Sequence, residues 1–149
     1  MNAHPEDHAR IADVFDPKKF LDVAEHYGHG AALGYKYQDH GVDWVEMSLP
    51  FRPEIVGVPE TGILASGAII SLVDACGGAA VWQKLGKFEP IATVDLRLDY
   101  LRPAFAGETV LARCECYKMT RSIAFVRGNA FIDEQRVVAN VVGTYIRNP

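Results

Sequence analysis

The spacing of apolar and polar positions changes several times along this chain, and each change marks an element. Asp16-Pro17 has the form of a helix start, a capping side chain followed by proline at the first helical position. Phe20, Val23, Ala24 and Tyr27 then recur at helical spacing, and Gly28 or Gly30 ends the run. Residues 33–38 and 42–49 read as strands around a hairpin-type turn at Asp39-His40-Gly41. In the second of these, Val45, Met47 and Leu49 share one face; Val42, Trp44, Glu46 and Ser48 share the other. Residues 50–59 carry three prolines and read as a loop. Residues 66–85 are apolar or small on nearly every side, which predicts a buried helix closed by Gly86. Four strand-like segments follow, at 91–101, 109–119, 122–131 and 137–146. In the first, Val94, Leu96, Leu98 and Tyr100 alternate with Thr93, Asp95, Arg97 and Asp99. The charged face predicts a solvated or inter-subunit surface with cross-strand ion pairs. Two strands, a long helix and four strands predict an α+β fold, an antiparallel sheet curled round one central helix.

Composition narrows the class. The 149 residues suffice for one domain with a real core, and 49% hydrophobic against 23% charged residues is an ordinary globular balance. A net charge of -4 with no basic block argues against a nucleic-acid partner. No apolar stretch approaches the roughly 20 residues of a membrane span, so no membrane partner is expected. The first residues lack the layout of a signal peptide, which predicts a cytoplasmic protein. Three cysteines, Cys76, Cys114 and Cys116, read as packing residues rather than a disulfide framework or zinc site. His4 and His8 have the i,i+4 spacing of helical metal ligands, but no third ligand accompanies them, and no metal is expected. His26 and His29 read as surface residues at a helix end.

The chemistry starts at Asp74. It lies inside the most apolar helix of the chain, and a buried carboxylate is costly unless it is hydrogen-bonded or paired. At about 100° per residue, Gly67, Ser71, Asp74, Gly78 and Val81 form one stripe, so the carboxylate faces a lane of small residues. It is either satisfied by backbone amides or an arginine, or it serves as a general base or nucleophile. Cys76 falls on the opposite side of the helix. Ser66 has the character of an N-cap, and with Gly67 it opens a helix N-terminus whose amides suit a developing oxyanion.

Four segments carry a resemblance. The run from Thr61-Gly62 through Ala65-Ser66-Gly67 to Asp74-Ala75-Cys76-Gly77-Gly78 resembles the central helix of the hotdog-fold acyl-CoA thioesterases of the PaaI-like group, whose pattern is G-x-x-H-G-G, six residues, then Asp. Thr93 through Tyr100-Leu101-Arg102-Pro103 resembles the family strand T-x-x-x-x-x-Y/F-L-R-P. Arg121-Ser122 resembles G-R-S, and Val138-Ala139 with Gly143-Thr144-Tyr145 resembles the ending V-A-x-x-x-G-T-F. The similarity covers about residues 33–147, which implies a hotdog domain at 33–149 behind a helical extension at 1–32.

The resemblance implies hydrolysis of an acyl-CoA thioester at a dimer interface, with no cofactor beyond the CoA carried by the substrate. It implies a homodimer sharing a continuous sheet, assembled into a homotetramer. Asp74 would act as nucleophile or base, Thr93 would hold the water, and the Ser66 and Gly67 amides would polarise the carbonyl. Arg102, Arg121 and Ser122 would bind the CoA end. Four positions depart from the pattern: the family histidine is Ala65, the first glycine of H-G-G is Ser66, the usual upstream Asn or Gln falls at Val58 or Pro59, and the glycine of G-R-S is Thr120. These departures leave open a second reading, an acyl-CoA-binding or structural relative with impaired catalysis. A hotdog hydratase would pair a carboxylate with a histidine, and no histidine occurs from residue 41 onward.

Overall fold

A computed structural model describes residues 14–148. The His4/His8 pair lies outside the described residues. The first helix, α1 (Pro17–Ala24), starts as its sequence predicts, with Asp16 accepting hydrogen bonds from the Lys18 and Lys19 amides at 3.0 and 3.2 Å. A second short helix, α2 (Gly28–Leu33), stands where the pattern predicts a helix end. It stops at Gly34, whose φ of 74° is the left-handed conformation that glycine adopts without cost, and this delays the first strand. That strand, β1, is Lys36–His40 rather than 33–38.

The sheet continues with β2 (Trp44–Leu49). A 3₁₀ turn at Pro53–Ile55 and a small hairpin, β3 (Val56–Val58) with β4 (Ile63–Leu64), replace the expected loop. The central helix α3 (Ser66–Leu85) spans the predicted residues. Strands β5 (Ile91–Tyr100), β6 (Val110–Met119), β7 (Ile123–Phe131) and β8 (Val137–Arg147) complete a six-stranded antiparallel sheet in the order β1-β2-β6-β7-β8-β5. Helix α3 packs on its inner face, the hotdog arrangement expected from the resemblance. Val45, Met47, Leu49, Val110, Ala112, Cys114 and Val126 meet Leu72, Val73, Cys76, Ala79 and Ala80 in a closed core. The Cys76 thiol points into it, 3.2 Å from the Val45 carbonyl, and burial pushes its pKa up, as it pushes the Cys116 thiol to about 11.

Two strands are sheet edges, β1 and β5. The β5 edge carries the detail that positions the site. Thr93 pairs with Tyr145 and Asp95 with the next partner, Thr144, so Val94 is an extra residue, a β-bulge. The strict alternation predicted for this strand therefore breaks. Thr93 turns toward α3 together with Leu96, Leu98 and Tyr100, while Val94 stands 59% exposed. Arg97 and Asp99 do pair, but along one strand rather than across two.

At the C-terminal end of β8, beside the start of β5, Arg147 donates through Nε to Glu89 at 2.7 Å, an ion pair that is largely buried. The Arg147 hydrogen bond, assisted by Lys87, holds the Glu89 carboxyl below the usual range. A depressed carboxylate contributes stability above its unfolded pKa and loses it as pH falls through the folded value. Glu89→Gln is thus expected to lower stability by about 1–3 kcal/mol at pH 7 and to shrink the loss seen on acidification below about pH 4.3. Chemical denaturation of both proteins across that range measures it; parallel curves would contradict the assignment.

Candidate active site

Asp74 lies two turns into α3 and is half-buried rather than enclosed. Among the described residues, no arginine satisfies it. Its Oδ1 accepts a hydrogen bond from Thr93 Oγ1 at 2.8 Å, across the gap that the bulge on β5 allows. The Tyr145 hydroxyl lies 3.0 Å from the Asp74 carbonyl oxygen and 3.3 Å from the same Oδ1. Two hydroxyls therefore converge on one carboxylate oxygen, and Oδ2 has no protein partner among the described residues. This fixes the rotation of the carboxylate and leaves one oxygen to face an incoming group.

Tyr145 was not among the residues predicted for the site. The signal was present: the family ending closes on phenylalanine, and this chain closes it on a residue with one added hydroxyl. Tyr145 is 2% exposed, and burial raises its pKa well above the normal phenol value, so it stays a neutral donor. The close approach depends on Gly77, where a Cβ would stand 2.3 Å from the Tyr145 hydroxyl. Tyr145→Phe removes that hydroxyl alone. It is expected to lower kcat for thioester hydrolysis roughly 10-fold with KM nearly unchanged, in line with losing one orienting hydrogen bond. A kcat equal to wild type would exclude the role.

A cleft of about 480 Å³ opens beside this triad. The stripe of α3 that lines it is Ser71, Asp74, Ala75, Gly78 and Trp82; Val81, expected on the stripe, is buried in the core instead. The N-terminal helices line the other side. His29 is exposed, as expected, yet it also lines the cleft, 3.1 Å through Nε2 from Ser71 Oγ. Because the Ser71 hydroxyl donates to the Gly67 carbonyl at 2.9 Å, it accepts from His29. Tyr35 is 6% exposed, its hydroxyl has no hydrogen-bond partner among the described residues, and burial, offset in part by nearby Ser71, pushes its pKa up to about 12.

Helix α3 begins differently from the expectation. Ala65, not Ser66, occupies the N-cap position and offers no side-chain hydrogen bond. Its own N–H is taken by the Ile55 carbonyl at 2.8 Å, which holds it extended and makes Ser66 the first helical residue. The Ala68 amide turns back to the Ala65 carbonyl, so the Ser66 and Gly67 amides are the open donors of this end. Ser66 and Arg102 line a second cleft of about 340 Å³ with Ile69, Tyr100 and Pro103, separate from the cleft that holds Asp74 and Thr93. Arg121 and Ser122 are exposed on the β6–β7 turn and line neither cleft. Arg147 ties that turn to the sheet end where β5 starts, through bonds to the Thr120 and Ser122 carbonyls. The chain thus brings Asp74 and Thr93 together and keeps Ser66, Gly67 and Arg102 apart from them. Among the described residues, no cluster of three or more His, Cys, Asp or Glu side chains could hold a metal, and no helix is long and apolar enough to cross a membrane.

Comparison with known proteins agrees with this architecture. The medium/long-chain acyl-CoA thioesterase YigI of Escherichia coli (strain K12) is 28% identical over 134 residues, covering 81% of this chain and 86% of that protein. A solved Pseudomonas aeruginosa protein superimposes with a TM-score of 0.74 at 33% identity, covering 88% of this chain and 96% of its own. The thioesterase HI1161 of Haemophilus influenzae (TM-score 0.79, 20% identity, 92% and 94% covered) and the PaaI protein of E. coli (0.74, 16%, 90% and 97%) share the fold. The family model of the thioesterase superfamily matches residues 61–139, just over half the chain, including all of α3 and β5. The chain therefore belongs to the thioesterase superfamily, and it shares the hotdog fold of the PaaI protein.

Proposed function

We propose that the protein hydrolyses acyl-CoA thioesters at a site completed by two copies of the chain. The observation that carries this reading is the division of the polar groups: the oriented carboxylate opens on one cleft, and Ser66, the first residue of the helix, lines another. YigI, named for medium and long acyl-CoA substrates, supports the substrate class. The unpaired β5 edge, which bears Thr93, supports the assembly, since an exposed edge is a template for a second strand. Such a homodimer, and a homotetramer built from it, would bring the Ser66 and Gly67 amides of one copy to the Asp74 cleft of the other.

In this mechanism Asp74 Oδ2 takes a proton from water held with Thr93, and the water oxygen bonds to the thioester carbon. The alternative order, direct attack by the carboxylate followed by hydrolysis of the anhydride, uses the same atoms. The carbonyl oxygen becomes an oxyanion and is met by the helix amides. The C–S bond then breaks, and the proton passes to the CoA sulfur. Arg102, Arg121 and Ser122 are exposed and available to the CoA end. No cofactor takes part.

The test is an acyl-CoA panel with chromogenic detection of free CoA, run on wild type and Asp74→Asn. A second reading, acyl-CoA binding without turnover, draws on the absence of a donor at Ala65. Tight binding with no Asp74-dependent hydrolysis on any substrate selects it.

Gly67 gives a separate check on the shared site. A Cβ there meets nothing within 4 Å of its own chain. Gly67→Ala is therefore expected to keep full thermal stability yet lose about 100-fold in kcat/KM, because the methyl group crowds the amides. Mixing and refolding Gly67→Ala with Asp74→Asn should then restore about a quarter of wild-type activity, from mixed dimers with one intact site. Activity equal to the sum of the two parents would rule out a site shared between copies.

A further inference from the structure

The Asp74 cleft has a direction. Its polar groups, Asp74, Thr93, Ser71, His29 and Tyr35, gather toward the N-terminal half of α3. Past Gly78 its walls become apolar, with Ile91 on one side and Trp82 at the far end. From Asp74 to Trp82 is eight residues, or about 12 Å along the helix. The wall facing that stretch comes from α1, whose Phe20, Leu21 and Ala24 fall on one helical face and all line the cleft.

Trp82 is a rigid end stop. Its indole Nε1 donates to the Glu89 carbonyl at 2.8 Å, and its ring packs on Phe20 (5.0 Å between centroids), Phe88 (4.4 Å) and Phe15 (5.7 Å). Helix α1 is held against this box by a backbone bond from Phe15 to the Gly86 carbonyl and by the Lys36–Glu25 ion pair. At the other end, buried Tyr35 lines the cleft, and its hydroxyl has no partner among the described residues, a donor that an occupant of the cleft would complete.

We infer that the N-terminal helical segment is the acyl selector of this enzyme: Phe20, Leu21 and Ala24 form, with Trp82, an apolar slot that takes the chain of a medium-length acyl group while its carbonyl lies at Asp74. The inference rests on the hydrolytic reading of the Asp74 site and adds to it the group that measures the substrate. An extended alkyl chain gains about 1.3 Å per carbon from its 1.52 Å bonds, so about 12 Å holds roughly nine carbons beyond the carbonyl. A decanoyl group fills the slot, and a longer chain meets the Trp82 ring.

Two variants test this in opposite directions, on the full chain, with straight-chain acyl-CoAs from butyryl to palmitoyl. Ala24→Phe fills the slot from a partly exposed position. It is expected to lower kcat/KM on decanoyl-CoA at least about 10-fold while butyryl-CoA stays within about 2-fold of wild type. Phe20→Ala opens the slot and is expected to move the optimum to a longer chain. Unchanged chain-length profiles in both variants, each melting as a folded protein, would overturn the inference and leave the hydrolytic reading standing. If wild type hydrolyses no acyl-CoA, that reading falls, and the slot is tested by calorimetric binding. The inference then requires decanoyl-CoA to bind more tightly than butyryl-CoA in wild type and this preference to vanish in Ala24→Phe. Equal affinities in wild type would overturn it.

Discussion

Asp74→Asn is expected to fold normally and to lose about 100- to 10,000-fold in kcat on its best acyl-CoA, the usual contribution of a positioned base. Shape and hydrogen bonds survive the change. An amide oxygen at the Oδ1 position still accepts from Thr93 and Tyr145, which now lie 2.8 and 3.3 Å away. What disappears is the negative charge and the lone pair on the second oxygen. KM should therefore change little, because the cleft walls that hold the acyl group are untouched. Asp74→Ala removes the acceptor as well, yet the Tyr145 hydroxyl keeps the residue-74 carbonyl at 3.0 Å, so that variant should also fold. Steady-state kinetics on the three proteins, with melting curves alongside, separate charge from shape. Turnover within 10-fold of wild type in Asp74→Asn would remove this residue from the chemistry.

Gly128→Ala is expected to cost about 3 kcal/mol of stability or more, at the upper end for overpacking. Gly128 sits in the middle of β7, opposite Cys114 of β6. A Cβ there would stand 2.2 Å from the Arg113 carbonyl oxygen and 2.9 Å from the Cys114 Cα. Both are backbone atoms of an interior strand that is paired on its other side with β2. A side chain can rotate away from a clash, but this backbone can move only by breaking ladder bonds. A melting temperature lower by roughly 10 °C follows for a chain of this size. Gly67→Ala, which meets no neighbour in its own chain, is the control. A Gly128→Ala protein that melts with wild type would mean that the two strands are farther apart than described.

The fold was legible because its strongest signals are periodic and local. Helix α3 announces itself by a long run of small and apolar residues between Ala65 and Gly86, and its bounds agree with the structure. The six strands of the main sheet were marked along the chain by alternation and turn residues, whereas their order in the sheet was not. Within the site, Asp74 and Thr93 were legible by resemblance, and the structure puts them in contact. What sequence periodicity missed depends on contacts between distant segments. His29 lines the cleft from the first turn of α2, and Tyr35 from just past Gly34, which redirects the chain after that helix; nothing in their own spacing marks them. Tyr145 was visible only as a departure from a family pattern. The alternation in β5 misled because it assumes a uniform pleat, and one extra residue at Val94 reverses the parity.

That reversal also divides an edge. A regular strand offers a neighbour an unbroken row of amides and carbonyls, and a bulge interrupts the row. On β5 the interruption separates Ile91–Thr93 from the longer stretch beyond Asp95. Any strand that adds to this edge finds its continuous rail only on the far stretch, where Leu96 to Tyr100 keep one register. The near stretch, with the hydroxyl that holds Asp74, lies outside that rail, so an added strand would leave it unzipped.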